Sequence, residues 1–175
     1  ACGLSQAQMP RLVEGTEPAG QLRAEWVRRW GFERAPVIAG GAGDNAAGAV
    51  GVGAVKAGDA FVSLGTSGVL WVTTDGFAPA AHKGVHAFCH ALPGRWFRMA
   101  ALLNGASPLA AAVDWTGGES VAALLGEVEA AYTGPSRLLA LPYLSGERTP
   151  HNDPLARGAI VGLGAATTRA DVVQA

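Results

Sequence analysis

Asp44 is the residue whose type and setting most invite chemistry. It follows the run Gly40-Gly41-Ala42-Gly43 at the C-terminal end of a short apolar strand and precedes a helical stretch, the place where α/β proteins put ligands. A carboxylate there can accept a proton from a substrate hydroxyl as a general base. Asp44 or Asn45 can instead cap the helix that begins at Ala46, and the local sequence alone leans to the cap. Gly65-Thr66-Ser67-Gly68 is the second candidate. A tip of small residues can turn backbone N–H groups and two hydroxyls toward an anion, although it lacks the lysine and the length of a Walker-type loop. The plainer reading is a hairpin turn that needs glycine for positive φ. His86 and His90 share a strand face with Cys89 opposite, and His82 and His151 lie apart from them, so no metal set is expected. Glu147 and Arg148, adjacent in a loop after an apolar strand, are either a solvated pair or a tie across a cleft.

The elements that must position these residues follow from periodicity and turn chemistry. Leu22, Trp26, Val27 and Trp30 fall at helical spacing, predicting a helix over Gln21–Trp30 with an arginine-rich outer face, ended by Gly31. Pro36–Ala39 reads as a strand. Ala46–Val55 reads as a helix despite Gly48, Gly51 and Gly53, which predicts a helix pressed close against another element. From Asp59 the texture turns to strands: Ala60–Leu64 and Val69–Thr73 flank the glycine tip, and Val85–Leu92 and Trp96–Ala100 flank Pro93-Gly94-Arg95. Helices are predicted over Pro108–Trp115 and Ser120–Tyr132, then a strand over Leu138–Leu144, the polar loop 145–152, and a short strand or turn over Arg157–Leu163. A last helix opens at Thr168 as N-cap. Strands in succession followed by helices predict an α/β fold with a mixed sheet, and composition shifts near Gly53–Lys56. Trp71, Trp96, Phe97 and Trp115 are expected in the core or on a sheet face.

Composition narrows the function. The 175 residues carry 13 Lys+Arg against 14 Asp+Glu, a formal charge of −1, which argues against a nucleic-acid or membrane-surface binder held by bulk charge. Cys2 and Cys89 show no metal-site spacing and cannot staple a secreted framework, so a reducing cytoplasm is expected. No apolar run is long enough to span a membrane. Charged residues make up 15% and there are 25 glycines, against about 25% charge and half as much glycine in ordinary domains; backbone must come close to itself or to a ligand. The sequence starts without Met and stops inside its last helix, so a piece of a longer protein is expected.

In order along the chain, Gly43-Asp44-Asn45-Ala46-Ala47-Gly48, Ser63-Leu64-Gly65-Thr66-Ser67-Gly68, Phe88-Cys89-His90-Ala91-Leu92-Pro93 and Pro142-Tyr143-Leu144-Ser145-Gly146-Glu147-Arg148-Thr149-Pro150-His151-Asn152 resemble the FGGY carbohydrate kinases. The resemblance spans about residues 37–163. It implies an α/β, actin-like/ribonuclease H-like two-domain fold, present only in part. Residues 1–53 would be the C-terminal end of the first, sugar-binding domain and 54–175 the N-terminal part of the second, ATP-binding domain, with the active site in the cleft between domains.

By that resemblance Asp44 would take the proton from the sugar's terminal hydroxyl, and Asn45 would lie beside it at the sugar. Gly65, Thr66, Ser67 and Gly68 would face the β/γ-phosphates of ATP with Mg²⁺, and Gly105, in Asn104-Gly105-Ala106-Ser107, would approach the nucleotide. The Gly146–Pro150 segment matches a family signature with no chemical step attached. The implied reaction is ATP-dependent phosphorylation of D-xylulose to D-xylulose 5-phosphate. The alternatives are a sibling kinase acting on ribulose, glycerol, gluconate or another polyol, or a non-catalytic actin-like nucleotide-binding module. The implied partners are a small sugar and ATP, without nucleic acid or membrane, and a homodimer stays open. The family's first phosphate-binding turn, the remainder of its sugar pocket and its adenine-binding glycine segment have no match here, so these 175 residues alone are expected to be inactive.

Overall fold

The computed structural model describes residues 2–175. In chain order its elements are β1 (Pro18–Gln21), α1 (Ala24–Arg29), β2 (Val37–Ala39), α2 (Asp44–Gly51), β3 (Ala60–Leu64), β4 (Gly68–Thr74), β5 (Val85–Cys89), β6 (Trp96–Leu102), α3 (Ser107–Thr116), α4 (Val121–Ala131), β7 (Leu139–Leu141), β8 (Ala159–Val161) and α5 (Arg169–Gln174). β3, β4, β6 and β5 form a four-stranded sheet in that order, while β1 pairs with β2 and β7 with β8. The chain divides into two compact units. One holds the residues up to Asp59 with Val72–Phe77 and Phe88–Phe97; the other holds Ala60–Trp71, Ala78–Ala87 and Arg98–Ala175.

In the first unit, β1 and β2 run antiparallel, with Gln21 opposite Val37 and an irregularity between Pro18 and Gly20. The predicted start of the first helix at Gln21 is therefore corrected: Gln21 belongs to a strand, and the helix begins at Ala24. Its apolar stripe is not buried. Trp26 and Trp30 instead lie 5.2 Å apart by ring centroid, and the Arg29 guanidinium sits 5.1 Å over the Trp26 ring, a cation–π contact. Gly31 follows in the left-handed region, at φ 71°, and the helix ends there as expected.

α2 differs from its prediction in two ways. It begins at Asp44 with Gly43 as N-cap and ends at Gly51, and its glycines are not crowded: a Cβ at Gly48 or Gly51 would meet nothing within 4 Å. The buried side is built from Ala46 and Ala49. Gly53, at φ 79°, takes the chain out of the helix in a conformation that other residues resist. The carbonyl of Ala54 then accepts two side-chain hydrogen bonds, from Thr73 Oγ1 at 2.7 Å and from His90 Nε2 at 3.2 Å. Because His90 Nδ1 accepts from the Leu92 N–H at 3.1 Å, its proton sits on Nε2 and points at Ala54. Thr73 and His90 are both buried, so the exit of α2 is pinned by a satisfied polar knot.

The second unit holds the turn between β3 and β4. Phe61 stacks on the fully buried Trp71 at 5.5 Å, which fixes the β3–β4 hairpin under its tip. Helices α3, α4 and α5 pack on one another. Ser120 caps α4 by accepting from the Ala123 N–H, and Thr168 is the N-cap of α5 as its sequence predicts, with Asp171 completing a reciprocal box. Trp71 and Phe97 are buried as expected, whereas Trp115 is 63% exposed, a correction to its assignment as a packing residue.

Candidate active site

The tip between β3 and β4 gathers several of the predicted residues. Gly65, Thr66 and Ser67 are exposed and Gly68 is buried. Three consecutive carbonyls of the tip each accept an internal N–H: Gly65 O from Ala106 at 2.8 Å, Thr66 O from Gly105 at 3.0 Å, and Ser67 O from Gly65 at 3.0 Å. A turn whose carbonyl oxygens are committed to the protein presents its hydroxyls and remaining donors outward, which suits an anion. Close approach is required at Gly68 and Gly105, whereas a Cβ at Gly65 would make only an ordinary contact with the Ser67 carbonyl. Neither Gly65 nor Gly68 has positive φ, a correction to the plainer hairpin reading, and a Cβ at Gly68 would lie 3.3 Å from the Leu102 side chain. Gly105 is the tightest: a Cβ there would stand 2.5 Å from the Ser67 carbonyl and 2.6 Å from Gly65 O. Gly105 and the Gly65–Ser67 tip, both named from sequence, are thus brought into direct contact.

Behind Gly105 lies a polar network that sequence reasoning missed. Glu147 is only 3% exposed and does not form a surface pair with Arg148. Its carboxylate accepts from the Leu103 N–H at 2.8 Å, from Asn104 Nδ2 at 3.1 Å and from the Arg148 N–H at 2.7 Å. Burial pushes its pKa up, but these hydrogen bonds outweigh burial and hold it below the usual glutamate range. Asn104, also buried, gives its second amide hydrogen to Gly146 O at 2.8 Å, and its Oδ1 accepts from the Leu144 N–H at 3.1 Å. The backbone at Gly146 has φ 75°, and a Cβ there would lie 2.7 Å from Pro154. Thr149 anchors the same loop by donating to Gly84 O at 3.1 Å. The Gly-Glu-Arg-Thr-Pro run was the signal; its partners lie some 40 residues away and could not be read from spacing.

Asp44 and Asn45 stand at the start of α2 in the first unit. Asp44 is exposed in the first turn and Asn45 half-buried. Gly43 occupies the N-cap position, and no side-chain cap bond forms there. The helix-cap reading of Asp44 and Asn45 is therefore corrected: the carboxylate is not spent on closing the helix. Among the described residues no group of three or more His, Cys, Asp and Glu is placed to hold a metal ion, and Cys2 and Cys89 are free and exposed. No helix among the described residues is long and apolar enough to cross a membrane.

The glycine-tipped hairpin, its Gly105 support and the chain's similarity to known sequences agree on a class. Residues 60–175 match the C-terminal domain of the FGGY family of carbohydrate kinases, and the chain belongs to that family. It is 51% identical over 163 residues to the xylulose kinase of Escherichia coli (strain K12), covering 93% of this chain and 34% of that relative. Among solved structures, one described as a "xyloylose kinase" from Brucella ovis superposes with a TM-score of 0.92 at 47% identity, over 98% of this chain and 35% of that one. A gluconate kinase from Lactobacillus acidophilus superposes with a TM-score of 0.81 at 25% identity, over 95% and 34%. The fold is the α/β, actin-like/ribonuclease H-like fold of these kinases, and the chain spans about a third of the length of the relatives it matches.

Proposed function

We propose that the protein transfers the γ-phosphoryl group of ATP to D-xylulose, giving D-xylulose 5-phosphate. The observation that carries the phosphoryl-transfer reading is the tip at Gly65–Gly68, where the Gly65, Thr66 and Ser67 carbonyls each already accept a backbone N–H. Its exposed Thr66 and Ser67 hydroxyls suit the β- and γ-phosphates, and Gly105 lets the backbone approach without a side chain between. Gly105 also lines an open, largely apolar groove of about 670 Å³ with Pro108, Leu109 and Tyr143, a surface of the kind a nucleoside needs. The choice of sugar rests on the likeness to the Escherichia coli and Brucella ovis kinases. In this reading residues 1–53 belong to a sugar-binding domain and 54–175 to an ATP-binding domain, in a protein of the cytoplasm.

Phosphoryl transfer needs positioning and charge stabilisation more than covalent help. Asp44, exposed and free of capping duty, accepts the proton of the attacking sugar hydroxyl as general base, and Asn45 beside it orients the sugar. The donor set at the tip is neutral hydroxyl oxygen, which fits Mg²⁺ carried with the nucleotide; that ion, when bound, neutralises phosphate charge, with Thr66 and Ser67 as the oxygens this turn offers it.

The test uses the full-length protein with ATP and a panel of D-xylulose, ribulose, gluconate and glycerol. Turnover is expected with D-xylulose foremost. Asp44→Asn is expected to abolish turnover, a loss of about 10²-fold or more, while ATP binding measured by calorimetry survives. Preference for gluconate would move the substrate to that of the Lactobacillus acidophilus relative. Failure to consume ATP with any polyol would leave a nucleotide-binding module.

A further inference from the structure

Glu147 is a buried carboxylate that the proposed reaction does not use, yet it is the best-supplied acceptor in the second unit. Its three donors converge from the end of β6 and from its own loop. Two of them, the Leu103 N–H and the Asn104 amide, belong to the residues immediately before Gly105. The next two backbone amides, of Gly105 and Ala106, are the ones that hold the Thr66 and Gly65 carbonyls. The path from Glu147 to the tip is therefore one short, continuous stretch of chain, fixed at one end by a charge and at the other by the turn. Asn104 cannot swing away, because both its amide hydrogens and its oxygen are already committed. Nor can the chain shift at Gly105 toward the tip, since the backbone there is in contact without a side chain.

We propose that Glu147 is a positioning residue for the nucleotide. Its carboxylate fixes Leu103–Asn104 so that the Gly105 and Ala106 amides keep the Thr66 and Gly65 carbonyls bonded to the protein and the tip receptive to phosphate. The proposal rests on the reading that this tip takes the phosphates of ATP. An ionised carboxylate suits the task because it accepts several N–H groups at once, and hydrogen bonds to a charged group are roughly twice as strong as neutral ones. Glu147→Gln keeps the size and one oxygen for the Leu103 and Arg148 N–H groups, but removes the charge and sets an NH₂ group against the Asn104 amide.

The experiment compares four variants of the full-length protein: Glu147→Gln, Glu147→Asp, Thr149→Val and Thr66→Val. ATP affinity is measured by calorimetry without sugar, the KM for D-xylulose by steady-state kinetics, and protection of Gly105 and Ala106 by amide hydrogen exchange. Glu147→Gln is expected to weaken ATP binding by about tenfold, the loss of one charged hydrogen bond, with the sugar KM unchanged and faster exchange at Gly105 and Ala106. Glu147→Asp, which keeps the charge but shortens its reach, should fall between; should the Gln variant not fold, this one carries the comparison. Thr149→Val cuts the loop's other anchor, to Gly84, and is expected to lower the melting temperature while leaving ATP affinity in place.

The proposal is overturned if the folded Glu147 variant binds ATP like the parent, or if Thr149→Val weakens ATP to the same extent, which marks a general loop effect. Thr66→Val judges the underlying reading separately. Should it leave ATP affinity unchanged, the tip does not take the phosphates, whatever the exchange data report about Glu147.

Discussion

Gly65 and Gly105 lie against each other yet differ in what they can tolerate. A Cβ at Gly65 would find only the Ser67 carbonyl, at 3.8 Å, whereas at Gly105 it would overlap two carbonyl groups at 2.5–2.6 Å. Gly105→Ala is expected to destabilise the full-length protein by about 1–3 kcal/mol, the usual cost of forcing an extra carbon into packed backbone, and Gly65→Ala to cost well under that; urea denaturation measures both. Glu147 makes a second prediction, in pH. Its folded pKa lies below the ordinary glutamate value because hydrogen bonds from Leu103, Asn104 and Arg148 outweigh the burial that raises it. The stability it contributes is fully present above the unfolded pKa and is lost as pH falls through the folded one. The stability difference between the parent and Glu147→Gln should therefore be largest near neutrality and shrink in acid, read from denaturation curves at a series of pH values.

At the scale of elements, α2 shows how far local sequence carries. Its existence follows from Gly43-Asp44-Asn45 leading into an alanine-rich run, but its length and environment do not. A Cβ at Gly48 meets nothing within 4 Å, so Gly48→Ala should stabilise the isolated chain by about 1 kcal/mol, the helix-propensity gain of alanine over glycine. At its exit, Thr73→Val removes one of the two bonds to the Ala54 carbonyl and should cost about 1 kcal/mol; both changes are read from thermal melts. The two hairpins were legible because Gly65–Gly68 and Pro93-Gly94-Arg95 punctuate alternating apolar runs. β1 was not: Pro18-Ala-Gly-Gln21 is exposed throughout and has no alternation, and it is a strand only because β2 pairs with it. Glu147 can be singled out with Arg148 as a solvated pair or a tie for its loop, but its burial was not legible, since that depends on donors at Leu103 and Asn104 that neighbouring residues do not announce. Asp44 and the Gly65 tip could be singled out as candidates because a carboxylate after a glycine run and a small-residue turn each suggest a chemistry by type.

At the scale of the whole molecule, apolar surface outruns what a water-facing chain usually shows. Val52 is 67% exposed, Leu163 61%, Trp115 63% and Trp30 59%, and large exposed apolar residues in such number favour association. The isolated 175 residues, about a third of the length of their relatives, are expected to self-associate in sedimentation and to phosphorylate no D-xylulose at a rate near that of a full-length kinase; an active monomeric chain would overturn this. The high glycine content also has a meaning for inheritance. A Cβ at Gly15, Gly40, Gly105 or Gly146 would come within 2.8 Å of another residue's backbone, and every missense change of a glycine codon brings a Cβ. In a library of random single substitutions selected for function, these four positions should come back as glycine alone, while Gly48 returns alanine freely. Part of the unusual composition would then be a record of forbidden codons at four crowded points, while open glycines without positive φ, such as Gly48, are left to drift.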